Sequence, residues 1–133
     1  MTPIVKFNPG FRLSLPDCLI LLAGAFASFE AANLDLHFGV AVGFTVGHFF
    51  LFCNVIRMRR LQELTWAATF IFLCSVSSTF GVPSWLQSFG ITSAMTAVLV
   101  FFELRAPSYH GVCWRRVNPT LEKWWILQGG SLS

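Results

Sequence analysis

A chain of 133 residues with 55% hydrophobic and only 11% charged residues, at a mean hydropathy of +0.65, is not a water-soluble domain. Soluble domains carry about 25% charged residues, and a chain this short cannot bury so much apolar surface in a core of its own. The net charge of +3 is unevenly placed: five of the nine lysines and arginines form two clusters beside apolar segments, Arg57, Arg59, Arg60 and then Arg115, Arg116. These clusters read as topology signals and contacts to anionic lipid head groups. Nucleic acid is not expected as a partner, because no base-stacking or phosphate-cradling motif accompanies the arginines.

The N-terminal stretch up to Leu13 is short, weakly basic (Lys6, Arg12) and contains proline and glycine. Ser14-Leu15-Pro16-Asp17 then predicts a helix start. Ser14 can cap, Pro16 fits the first turn, and Asp17 holds the acidic position of a capping box. The first crossing is expected over residues 15–34, apolar until Glu30. A cleaved signal peptide over residues 1–27 is the competing reading, since basic residues precede an apolar run and Ala25-Phe26-Ala27 resembles a cleavage site.

The second crossing, residues 36–56, has no permanently charged side chain and is about as long as a helix must be to span the hydrocarbon core. Its three arginines at the far end mark a cytoplasmic boundary. The third is expected over 63–80, with hydroxyls crowded into its second half and Pro83 ending it. The fourth covers 85–104, with Trp85 suited to the membrane–water boundary. The tail, 106–133, differs in kind. Asn118-Pro119 predicts a cap and first turn, and Leu121, Trp124 and Trp125 share one face of a short helix lying in the interface, with Trp124 and Trp125 at head-group depth.

Orientation follows from counting. With the N-terminus inside, every lysine and arginine is cytoplasmic, and the two outer connections carry none. The expected architecture is therefore all-α: one integral membrane domain, a four-transmembrane-helix bundle with cytoplasmic N- and C-termini and a short C-terminal interfacial helix. The expected location is the plasma or inner membrane. The scattered cysteines, Cys18, Cys53, Cys74 and Cys113, form no zinc or redox spacing and are expected as small buried hydrophobes.

On a helical wheel of about 100° per residue, the second crossing separates into two faces. Gly39, Gly43 and Gly47 form GxxxGxxxG, and Asn54 continues that face seven residues on. Such a groove lets another helix backbone approach, and a buried Asn can bond across the contact. The partner helix can belong to the same chain or to another subunit. The opposite face holds His37 and His48. An intramembrane histidine is a candidate site, and Ser75, Ser78, Thr92 and Thr96 on later helices are its candidate partners. Glu30, Asp35 and His37 form an outer polar patch whose spacing matches no metal motif.

No G-x-S-x-G, HExxH, P-loop or dinucleotide pattern occurs, and no acid lies deep in the bilayer, as a proton-coupled transporter usually requires. The leading expectation is a non-enzymatic membrane protein acting through helix–helix packing, as a homo-oligomer or an accessory subunit of a membrane complex, with no cofactor and no metal. A small channel or transporter using His48 and the hydroxyl cluster is the alternative. A haem- or quinone-binding electron-transfer subunit is the second; a bis-histidine haem would need a ligand from another copy, because His37 lies about 16 Å from His48 along the axis.

Overall fold

The structure is a computed structural model that describes residues 6–132. The first five residues, part of the N-terminal stretch and of the signal-peptide reading, lie outside the described residues, as does Ser133. Four long helices dominate: α1 (Leu15–Leu34), α2 (Leu36–Phe50), α3 (Arg60–Phe80) and α4 (Trp85–Leu104). Two short ones follow, α5 (Trp114–Val117) and α6 (Leu121–Leu127), and no strand occurs among the described residues. Four helices are long and apolar enough to cross a membrane.

Local chemistry explains most of the boundaries. Ser14 caps α1 in a full capping box with Asp17, which satisfies donors that the first turn leaves open. Asp35 is the single residue between α1 and α2, and its carboxylate accepts the backbone N–H of His37 at 2.7 Å. Gly81, at φ 71°, ends α3 in the left-handed conformation that suits glycine at a helix stop. Pro83 comes two residues later, where it prevents continuation rather than causing the stop. Ser84 and Gln87 form the capping box of α4.

Two boundaries depart from expectation. The third helix opens at Arg60, three residues before the predicted start, with Glu63 inside its first turn. There the carboxylate faces the positive end of the helix and receives Arg60 at 2.9 Å. Asn118 does not cap α6, whose N-cap is Thr120. Its side-chain amide is committed elsewhere, donating to the carbonyls of Pro107 at 2.7 Å and Tyr109 at 3.1 Å. None of the four cysteines is buried: Cys53 and Cys113 are exposed and the other two half-buried. The fully buried core is built from larger side chains, with Cys74 packed against its edge.

The last turns of α2 were not legible in advance. Leu51–Ile56 is a π-helical segment, closed by Arg57 in the left-handed conformation at φ 56°. A π turn is wider than an α turn; Phe52 still joins Phe44 and His48 against Trp66, and Asn54 and Ile56 are buried with it.

The packing forms two hairpins. α1 lies against α2 along small residues, and α3 lies against α4 through Trp66, Thr92, Thr96, Ser77 and Ser88. Aromatic side chains of α2 close the gap between the pairs. α1 itself buries no residue completely.

At one end the chain ties itself together. Gly10 N–H donates to the His110 carbonyl at 2.8 Å, Arg12 N–H to Asn54 at 3.1 Å, and Val112 N–H to Val55 at 2.8 Å. Phe7 packs edge-on against Trp114 and Trp125. Residues 6–14, the end of α2 and the segment after α4 therefore share one end of the bundle. All nine lysines and arginines belong to segments at that end, while the connections at the other end, Asp35 and Gly81–Ser84, hold none.

Candidate functional site

The glycine stripe of α2 divides between two roles. A Cβ on Gly39 would lie 2.4 Å from the Ala32 Cβ and 2.6 Å from its Cα, and a Cβ on Gly43 would lie 2.9 Å from Ser28 Oγ. The Ser28 hydroxyl donates to the Gly39 carbonyl at 2.7 Å. Higher up, a Cβ on Gly24 would meet the Val46 methyls at 2.6 and 2.8 Å. The partner of Gly39 and Gly43 is thus α1 of the same chain. Its complementary residues, Gly24, Ser28 and Ala32, recur every four positions and were a readable signal that the sequence analysis missed. Gly47 behaves differently: among the described residues nothing lies within 4 Å of its Cβ direction. Asn54 lies beside the start of α1, sharing a cavity wall with Asp17, Ile20 and Leu21. It is buried within the π segment, and its amide donates to the Arg12 carbonyl at 2.9 Å.

The polar cluster proposed around His48 does not assemble. His48 Nδ1 lies 2.8 Å from the Phe44 carbonyl one turn back, and its ring stacks on Trp66 at 4.6 Å and 12°. Trp66 is fully buried and takes the hydroxyl expected for the histidine. Its indole N–H donates to Thr96 Oγ1 at 2.9 Å and reaches the Thr92 carbonyl at 3.3 Å. Thr92 is buried with Oγ1 on the Ser88 carbonyl. Ser75 and Ser78 lie on the opposite, exposed face of α3, and Ser75 Oγ bonds the Ile71 carbonyl of its own helix at 2.8 Å. The buried hydroxyl pair is Ser77 with Ser88, at 2.7 Å. Hydroxyl-rich helices satisfy themselves locally through carbonyls four residues back, so co-occurrence in sequence did not imply a shared site.

The outer patch is a capped turn. Asp35 and His37 meet at 3.2 Å and the imidazole stacks on Trp85 at 5.4 Å, while Glu30 is exposed and does not join them. Among the described residues no three His, Cys, Asp or Glu side chains are grouped so as to hold a metal ion.

The basic residues are more engaged than lipid contact alone requires. Arg59 Nε lies 3.6 Å from the buried Glu103 carboxylate, joining the start of α3 to the end of α4. Arg60 holds Glu63, and Arg57 donates to the Asn8 carbonyl. Arg115 stands over the Trp114 ring, and Arg116 is exposed. Trp125 packs on Phe7 and donates to the Ser131 carbonyl at 3.3 Å, and Trp124 is half-buried.

What remains outward-facing is apolar and small. α2 presents Val40 and Gly47. α4 presents Gly90, Ser93, Ala94 and Ala97, and Gly90 too has open space at its Cβ direction. α3 presents Ala68, Ser75 and Ser78. No known family, curated protein or solved structure matches this chain.

Proposed function

We propose that this chain is a non-enzymatic multi-pass membrane protein that works by packing against other membrane helices, as a homo-oligomer or as an accessory subunit of a larger complex. The proposal takes the charged end, with both termini, as cytoplasmic and places α6 in the interface. The observation that carries it is the outward position of Gly47 and Gly90. Their backbones are open to approach by a helix that the chain does not itself provide. In lipid, helix association rests on close backbone packing rather than on apolar burial, so small residues left uncovered are worth more as contacts than exposed leucines. The exposed hydroxyls of α3 can add interhelical hydrogen bonds.

Two measurements test this. A Gly47→Leu, Gly90→Leu double substitution starts from positions with open space at the Cβ among the described residues, so the fold is expected to persist while the native mass of the membrane-extracted particle falls to that of one chain. A wild-type particle that is already a single chain without companions overturns the packing reading. For orientation, a reporter inserted at Val82 is expected outside the cytoplasm, because the basic residues lie at the other end of the bundle. A cytoplasmic reporter there reverses the assignment.

A further inference from the structure

Beside the π segment the bundle is not closed. A cavity of about 310 Å³ runs down between α1, α2 and α3, with Ile20, Leu21, Phe49 and Phe50 in its walls. A second, of about 360 Å³, continues it at the charged end, where Arg12, Arg57 and His110 are added. The two share Asp17, Cys53, Asn54, Arg60 and Glu63. They therefore form one amphipathic slot, of a size that holds small ligands. Ile20 and Phe49 lie some six residues inside their helix ends, so the apolar part reaches about 9 Å below the charged rim.

The charges of this slot do not balance. Glu63 is occupied, accepting from Arg60 at 2.9 Å and from the Cys53 thiol at 2.8 Å. Asp17 serves the α1 cap, taking the Ser14 N–H at 2.7 Å, and its carboxylate also feels the Arg12 charge, so against Asp17 and Glu63 the three arginines leave one positive charge in excess. Arg12 and Arg57 have no carboxylate within 4.0 Å among the described residues. They are nevertheless close enough to repel: burial, and then Arg12, push the Arg57 guanidinium below its usual value. Both are held there by backbone. Arg12 is pinned through two hydrogen bonds to Asn54. Arg57 occupies a left-handed position, φ 56°, where glycine or asparagine is the ordinary choice. An arginine at such a position, next to a second arginine and a π turn, is a local cost of the kind that accompanies function.

We infer that this slot binds a single anionic phospholipid, its phosphate against Arg12 and Arg57 and the upper part of one acyl chain between Ile20 and Phe49. The inference rests on the membrane placement above but not on any oligomer, so a monomeric particle leaves it standing.

The test is native mass spectrometry of the detergent-purified full chain, titrated with dioleoyl phosphatidylglycerol, dioleoyl phosphatidylcholine or glycerol 3-phosphate. Phosphatidylglycerol is expected to be retained at least about tenfold more tightly than the zwitterionic lipid, about the worth of two basic residues at an anionic surface after discounting for screening. Arg57→Gly is expected to weaken it about fivefold while the thermal midpoint changes little, because relief of the left-handed position offsets the lost hydrogen bond to the Asn8 carbonyl. Ile20→Trp, at a wall residue already exposed, is expected to weaken retention by filling the chain slot, and an Arg115→Ala, Arg116→Ala pair to leave it unchanged. Equal retention of the two lipids, or no effect of Arg57→Gly, overturns the proposal. So does an equal loss from the Arg115, Arg116 pair, which would mean diffuse surface attraction. Glycerol 3-phosphate retained as tightly as the lipid would identify a free-anion site and also overturn it.

Discussion

Gly39→Leu is expected to separate α1 from α2 and to destabilise the protein by about 3 kcal/mol, the upper part of the range for overpacking. Its first side-chain atom would enter a space 2.4 Å from the Ala32 Cβ, 2.6 Å from the Cα and 2.7 Å from the backbone nitrogen. Backbone cannot rotate aside as a side-chain end can. The two helices are joined only by Asp35, so they cannot slide to relieve the clash without breaking its cap on His37. The Ser28 bond to the Gly39 carbonyl would be lost with the close approach. Reversible unfolding in mixed SDS–detergent micelles, followed by circular dichroism, measures the loss. Gly47→Leu in the same assay is expected to cost much less, as its Cβ enters open space among the described residues. The contrast matters because both glycines belong to one GxxxGxxxG run. Equal effects would mean that the stripe serves a single interface and that the division into inner and outer parts is wrong.

Trp66→Ala is expected to be comparably severe, at about 3 kcal/mol, the low end for removing a large aromatic from a core. The low end applies because an unfolded chain still in lipid regains much of the apolar solvation, leaving the lost packing as the main term. Trp66 is where the two hairpins meet. Its ring stacks on His48 and on Phe70 at 5.2 Å, and takes the edge of Phe52 at 5.4 Å. Trp66→Phe keeps most of the ring contacts and loses only the indole donor to Thr96. Its expected cost is about 0.6 kcal/mol, the mean for an interhelical hydrogen bond in a membrane protein. The same micelle titration separates the two variants. If Trp66→Phe proved as damaging as Trp66→Ala, the hydrogen bond rather than the stack would be joining the hairpins.

Much of the helical layout was readable because it depends on neighbours in the chain. The Ser14–Asp17 box and the long uncharged runs act over a few residues each, and the elements follow them closely; the Ser84–Gln87 box and the Gly81 stop are equally local, though the sequence points to Pro83 for that stop. The third helix began early because Arg60 and Glu63 prefer to pair within a first turn rather than to stand outside it. For the candidate sites the reading was less complete. The glycine face was visible, but its partner was not, since a groove does not identify the backbone that fills it. His48 was visible as a polar group at depth, yet Trp66 outcompeted it for Thr96. The slot beside Cys53 left no pattern, because its walls come from α1, α2, α3 and the strap around Arg12.

By itself the sequence determined that this is a chain of four apolar helices with its basic residues gathered toward one end of the bundle, since composition, capping and charge placement are properties of short stretches. Only the tertiary structure decided which glycines are covered, which hydroxyls are buried and where a cavity persists. Those outcomes depend on side chains from distant segments competing for the same few partners and on which backbones come close enough to cover a glycine.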